Sequence, residues 1–122
     1  AQGQRKASLF NYLLSELARR TNPSFIVGDF NTGIRRIDGS GSTCTCADRF
    51  QALLRDGWTD AWRLKNGEAA REYSWFSHAG NGYRVDHALV SRVAAHRVIA
   101  CRYDHSIRGV PTDHSALVLD VL

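Results

Sequence analysis

The sequence predicts a layered α/β fold, and three observations carry the prediction. Two segments with apolar side chains at helical spacing alternate with short apolar runs bounded by Pro and Gly. Aromatic and β-branched residues gather in two neighbouring runs around a turn-forming HAGNG cluster. The chain then closes on a strongly apolar stretch, ALVLDVL. With 122 residues there is chain enough for one core and at most one domain.

The first helix is expected from Arg5 to Arg20, where Leu9, Leu13 and Leu17 line one face with Phe10 and Leu14 beside them. Arg19 and Arg20 favour the carboxyl end of its dipole, and Asn22-Pro23 stops it. The run Ser24–Val27 that follows is too short for a helix and reads as a buried strand leading into Gly28, Asp29 and Asn31. Polar residues just past such a strand stand where α/β folds bind ligands. If strand geometry continues, Asp29 and Asn31 project together while Phe30 turns to the core. The same Asp-x-Asn is also an ordinary turn signal, and both readings stand.

Gly33 to Cys46 is a Gly/Ser-rich loop carrying Arg35 and Arg36, two guanidinium groups that either grip phosphate or are simply solvated. Ala47–Asp56 predicts a second helix with Phe50, Leu53 and Leu54 inward and Gly57 as its cap. Trp58 and Trp62 are expected as core anchors before a polar excursion, LKNGEAARE. Tyr73–Ser77 and Tyr83–Val90 predict a hairpin. In its second strand Arg84 and Asp86 share a face, either paired with each other or serving a site. A short helical turn at Val93–Ala95 and an edge strand at Arg97–Tyr103 come next. Asp113 and His114 then sit at the loop-to-strand junction of the terminal strand.

Composition narrows the class. The 43% hydrophobic content, with three Trp, five Phe and four Tyr, excludes a disordered chain. No apolar run approaches a membrane span and no charged-then-apolar leader opens the sequence, so a soluble, cytoplasmic protein is expected. Three cysteines make an odd count, and Cys44-x-Cys46 suits neither a disulfide nor a zinc pair, which leaves Cys44, Cys46 and Cys101 as free thiols. A net charge of +4 favours anionic partners without identifying one. Fourteen of the sixteen basic residues are Arg, an excess that codon bias would also give. The five histidines fall nine residues apart, but their flanking residues do not recur, and no repeat is inferred.

Asp29, Asn31, Asp86, Asp113 and His114 all fall at the end or edge of a predicted strand. Carboxylates and an amide are hard oxygen ligands suited to Mg²⁺ or Mn²⁺, and no His/Cys spacing suits zinc. Phosphate ester hydrolysis needs a positioned, deprotonated water and charge stabilisation at the phosphoryl oxygens, which a metal, a carboxylate and a histidine can supply. No Ser or Cys nucleophile with a base beside it is evident, so water is the expected attacker.

Three ordered motifs, GDFN at Gly28–Asn31, YRVDHALVS at Tyr83–Ser91 and TDHSAL at Thr112–Leu117, resemble those of the endonuclease/exonuclease/phosphatase superfamily. That superfamily groups metal-dependent phosphoesterases that include abasic-site endonucleases, other nucleases, sphingomyelinases and inositol-polyphosphate phosphatases. The resemblance implies that Asp29 orients and deprotonates the attacking water, with Asn31 aligning it. It implies that Asp86 holds the imidazole of His114 at the scissile phosphate, and that Asp113 lies at a Mg²⁺ or Mn²⁺ ion. Tyr83 matches an aromatic wall of the sugar pocket, Arg84 looks structural, and Thr112 stands where Ser is usual.

The resemblance also implies that residues 1–122 are a single incomplete domain, the carboxyl-terminal half of a four-layer α/β/β/α sandwich. That half would hold one mixed, largely antiparallel sheet with helices on one face. The family's first-half Asn and metal-binding Glu have no counterpart here, and Glu16, Glu68 and Glu72 are not promoted to replace them. DNA is the expected substrate partner, with Arg35 and Arg36 as further contacts. A phosphatase acting on lipid or inositol phosphates, or a binding or assembly module that has lost catalysis, are the alternatives. The open sheet face of a half sandwich predicts a homodimer.

Overall fold

The computed structural model describes residues 2–15, 21–41 and 45–122. In chain order these form α1 (Gln2–Ser15), β1 (Phe25–Asp29), α2 (Ala47–Arg55), β2 (Thr59–Asp60), α3 (Ala61–Asn66), β3 (Trp75–Phe76), β4 (Gly82–Tyr83) and β5 (Asp86–Val90). A 3₁₀ helix (Arg92–Arg97), β6 (Val98–Asp104) and β7 (Ala116–Val121) complete them. The α/β class is as expected, but the single mixed sheet is not. Three small sheets stand instead, ordered β1-β5-β2, β3-β4 and β6-β7, and every strand pairing in them is antiparallel.

Two cores meet at β5, whose five residues are all buried. Leu89 joins Phe10, Leu13, Phe50, Leu53 and Trp58 beneath α1 and α2. Its neighbours Ala88 and Val90 join Trp62, Ala94, Val98, Cys101 and Tyr103 beside α3 and β6. Successive strand side chains point to opposite faces, so one strand feeds both clusters. Helices therefore do not all lie on one face: α1 and α2 cover one cluster, and α3 shares the other with β6 and β7. The two tryptophans are core anchors, one in each cluster, because β2 and α3 separate them.

Local chemistry explains the boundaries. Asp60 caps α3 by accepting from the backbone N–H of Trp62 and Arg63 at 3.1 and 3.2 Å. After α2, Gly57 at φ 110° allows its N–H to reach Leu54 O and the Trp58 N–H to reach Leu53 O, the paired bonds of a Schellman stop. The predicted hairpin exists as β3-β4, but its second strand ends at Tyr83, and β5 departs to pair with β1 and β2. The break comes at Arg84, whose N–H bonds Asp38 O at 2.7 Å rather than a strand partner.

Two expectations about burial are corrected. Leu9, placed on the core face of α1, is 57% exposed; Phe10 and Leu13 form that face, and Leu17, Arg19, Arg20 and Glu16 lie outside the described residues. β1 is not a buried strand. Ile26 packs beneath the helices, but Phe25 (39%) and Val27 (54%), on the other face, are exposed. An open cavity of about 480 Å³ runs beside this strand, lined by Leu9, Phe10, Val27 and Asp29 among others. Cys46 and Cys101 are free thiols, whereas Cys44 lies outside the described residues. Among the described residues no helix is long and apolar enough to cross a membrane.

Candidate active site

The β1-β5 register sets Asp29 directly opposite Asp86, so two carboxylates emerge at the same end of the paired strands. His114 comes to them on the loop before β7. Ser74, fully buried, ties these pieces together: its carbonyl accepts the Ser115 N–H at 2.8 Å, and its hydroxyl oxygen accepts the N–H groups of Val85 (3.1 Å) and Asp86 (3.3 Å). From the other core, the Tyr103 hydroxyl donates to the Asp86 carbonyl at 2.5 Å.

His114 Nδ1 lies 2.8 Å from Asp86 Oδ2, and its Nε2 faces Asp29 Oδ2 at 3.8 Å and Asp113 Oδ1 at 3.9 Å. An ionised carboxylate only accepts, so the Asp86 bond assigns a proton to Nδ1 and turns Nε2 towards the other two acids. Partial burial disfavours charge on this ring, but the Asp86 hydrogen bond and the negative charges of Asp86, Asp29 and Asp113 outweigh it and raise its pKa above the ordinary imidazole value. Asp86 is the sheltered member, with its side chain 13% exposed against 50% for Asp29 and 79% for Asp113. Dyad geometry of this kind can hold a cationic imidazole towards an anionic group and return a proton from Nε2.

Of the residues singled out from sequence, Asp29, Asp86, Asp113 and His114 come together. Asn31 does not continue the strand: its φ is 51°, its N–H closes a turn on Asp29 Oδ1 at 2.7 Å, and its carbonyl accepts from Lys6 Nζ at 2.8 Å. The turn reading of Asp-x-Asn therefore holds in place of a continued strand, and the turn fixes the Asp29 carboxylate. Phe30 packs against Phe10, Phe50 and His87, as expected of a core residue. Arg84 and Asp86 do not pair. Arg84 is buried among Asp38, Asp60 and Tyr103, while Asp86 serves His114. Tyr83 stacks on Trp75, which itself lies against His114 with ring centroids 6.3 Å apart. Arg35 pairs with Asp48 at 3.5 Å and the Arg36 carbonyl accepts from Arg71, so no bond among the described residues joins either arginine to the cluster.

Trp75 is the residue that sequence reasoning missed. Its indole N–H donates to Asp113 Oδ2 at 3.0 Å while its ring stacks on His114, so one side chain braces two members of the cluster. A Trp at a strand end facing a turn is the only signal that marks it. Asp38 was also unmarked; it is fully buried and bound by Arg63 at 2.6 Å and Arg84 at 2.8 Å.

The donor set fits a hard divalent cation. One ligand atom from each of Asp29, Asp86 and His114 lies within 4.8 Å of the others. A single imidazole without thiolates falls short of a zinc set, and carboxylate oxygens suit Mg²⁺ or Mn²⁺. Each of the three acids bonds through one carboxylate oxygen, Asp86 to His114, Asp29 to the Asn31 N–H and Asp113 to Trp75, and the exposed Asp29 and Asp113 offer their other oxygen to solvent.

No family model matches the chain. Among curated proteins it is 31% identical over 134 aligned residues to an exodeoxyribonuclease III of Haemophilus influenzae, with 91% of this chain and 50% of that protein covered. The chain spans about half the length of the curated relatives it matches. Among solved structures it superposes with a TM-score of 0.79 and 26% identity on a Neisseria 3′ phosphatase, NExo, bound to product DNA hairpin, covering 98% of this chain and 52% of that one. An AP endonuclease from Archaeoglobus fulgidus, 22% identical, shares the fold with a TM-score of 0.76 over 98% of this chain and 52% of its own.

Proposed function

The chain belongs to the endonuclease/exonuclease/phosphatase superfamily, on its exonuclease and AP endonuclease side, and on that premise we propose that it is the carboxyl-terminal half of a metal-dependent phosphodiesterase acting on DNA. The observation that carries this reading is the Asp86–His114 dyad with Nε2 turned towards Asp29 and Asp113. Asp29, steadied by the Asn31 N–H, takes the proton of the attacking water, and the Asn31 side chain aligns that water. Asp86 orients the His114 ring, whose Nε2 faces the phosphoryl group and stabilises its developing charge. Asp113 would hold Mg²⁺ or Mn²⁺, which when bound supplies positive charge at the phosphoryl oxygens. Tyr83 contributes through Trp75 to the aromatic wall beside the dyad, and Arg35 and Arg36 bind the phosphate backbone further out.

The test uses the full-length protein with Mg²⁺ or Mn²⁺ on an abasic duplex and a generic aryl phosphodiester. His114→Ala should lower turnover by about 10²–10⁴-fold. Near-normal turnover in that variant would overturn the assignment, and turnover of inositol or lipid phosphates alone would move it to a phosphatase. The exposed Phe25 and Val27 face of β1 favours a second role, assembly: it is the surface the upstream half of the domain would cover, and a homodimer would cover it in that half's absence.

A further inference from the structure

Behind His114 lies a second cluster that the proposed chemistry does not use. His105 Nε2 meets Glu72 Oε2 at 2.7 Å, and His105 Nδ1 meets Ser115 Oγ at 2.6 Å. Arg108 Nη1 donates to the same Ser115 hydroxyl at 3.1 Å, and its guanidinium rests over the Phe76 ring, 4.7 Å from the centroid. The connectivity imitates an acid–His–Ser nucleophile, but the surroundings forbid that use. Ser115 is 4% exposed, so no substrate reaches its oxygen, which already accepts from Arg108.

With a neutral His105 ring the protons can be placed consistently. Neutral His105 donates its Nε2–H to Glu72 and accepts the Ser115 hydroxyl proton on Nδ1, while Arg108 fills the Ser115 acceptor. The Ser115 side chain is then held from two sides. Ser115 is bonded to His114, and its own N–H is fixed on Ser74 O at 2.8 Å. The His105 ring also stacks on Tyr103, with centroids 6.3 Å apart, and the Tyr103 hydroxyl holds the Asp86 carbonyl. One pair of neighbouring rings thus meets the Asp86 carbonyl on one side of the 2.8 Å dyad bond and the Ser115 hydroxyl, next in sequence to His114, on the other.

We propose that His105 is a positioning residue of the active site, acting through Ser115 to fix the His114 ring against Asp86. The half-exposed Glu72–His105 pair contributes little to stability. Its effect is directional, because a shift of about 1 Å in a reacting group can cost as much as 10²-fold in rate.

The activity arm rests on the phosphodiesterase reading, and a spectroscopic arm does not. In the full-length protein, Ser115→Ala and His105→Ala should each lower kcat about tenfold and leave KM within about twofold. The double variant should be no slower than the slower single, because both changes cut one path. His105→Asn, which keeps an acceptor for the Ser115 hydroxyl, should regain most of the loss. Ring ¹⁵N signals, read where the imidazoles are neutral, should show His114 protonated at Nδ1 in the parent and a tautomer mixture in Ser115→Ala and His105→Ala. Unchanged kcat in both singles, with turnover still lost in His114→Ala, would overturn the proposal and spare the function. Multiplicative losses in the double variant would overturn the route through Ser115. If the parent hydrolyses no phosphodiester, the functional reading fails and the ring signals decide alone: a mixture supports positioning and an unchanged tautomer refutes it. Should His105→Ala not fold, Ser115→Ala, which removes only a hydroxyl, carries the same expectations.

Discussion

Arg84→Met in the full-length protein is expected to cost about 3–5 kcal/mol of unfolding free energy, the range for removing one partner of a buried ion pair. Arg84 has no exposed surface. It donates to Asp38 at 2.8 Å through Nε, forks both terminal nitrogens onto Asp60, and lies over the Trp62 ring. Met keeps the apolar stem but leaves two buried carboxylates behind. They are not equally stranded. Asp38 retains Arg63 at 2.6 Å and the Ile34 N–H at 2.7 Å, whereas Asp60, among the described residues, keeps the two backbone donors of its helix cap and a neutral His87 3.9 Å away. Most of the cost should therefore sit on Asp60, and adding Asp60→Asn, which still caps α3, should recover a large share. The pH dependence has a definite sign. Burial pushes the Asp38 carboxyl up, but Arg84 and its other partners hold it below the ordinary range, so its contribution is present above about pH 4 and fades as pH falls through the folded value. Without Arg84 that depression shrinks, and the deficit of the variant should narrow in acid. Urea denaturation from about pH 2 to 8 measures all three effects. A loss below about 1 kcal/mol, or a double variant no better than the single, would refute the reasoning.

Asp86→Asn should lower the pKa of His114 by removing both the hydrogen bond and the nearest charge that raise it. In the parent, the protonated ring adds stability that is fully present below about pH 6.5 and lost as pH rises through the raised folded value. The variant should lose that window, and the basic limb of its pH–rate profile should move to lower pH; an NMR titration that finds His114 unmoved would contradict the dyad. Residues 1–122 alone should associate with increasing concentration in sedimentation, Phe25→Ser with Val27→Ser should weaken the association, and the upstream-extended protein should not show it. A monodisperse monomer at high concentration would count against the exposed strand face as a contact surface.

Much of this was legible in the residues because it depends on local chemistry. Helical spacing found α2, turn residues found the β3-β4 hairpin, and the polar ends of apolar runs found Asp29, Asp86, Asp113 and His114. What was not legible depends on which partner an element meets. An apolar run such as Phe25–Val27 reads as buried whether or not anything covers its second face, so composition alone could not report that β1 is open. The run Tyr83–Val90 looks like one strand, yet Arg84 needs two carboxylates 24 and 46 positions away, and satisfying it breaks the strand in two. The strap that His105 and Arg108 place on Ser115 lies within the one loop between β6 and β7, but its Glu72 partner stands 33 positions from His105, and no spacing rule anticipates that pairing.

The two acidic clusters among the described residues separate by charge balance. In the first, Asp38 and Asp60 face Arg84 and Arg63, two charges against two, all of them buried. His87 beside them stays neutral because burial and Arg84 push its pKa down to about 4. Such a set is complete in itself and gives no reason to bind anything. In the second, Asp29, Asp86 and Asp113 face His114 as their only cation among the described residues, and even a charged imidazole leaves the cluster net negative. The two bonds that Lys6 Nζ makes go to the carbonyls of Asn31 and Thr45, not to these carboxylates. A phosphodiester would be repelled from that cluster unless a cation entered first. Solvent tolerates the imbalance because Asp29 and Asp113 are exposed, which also leaves their oxygens within reach of an ion. The uncompensated cluster is thus the one that fits metal-dependent phosphate chemistry, and the compensated one, a few residues away in sequence at Arg84, holds the strand end that presents it.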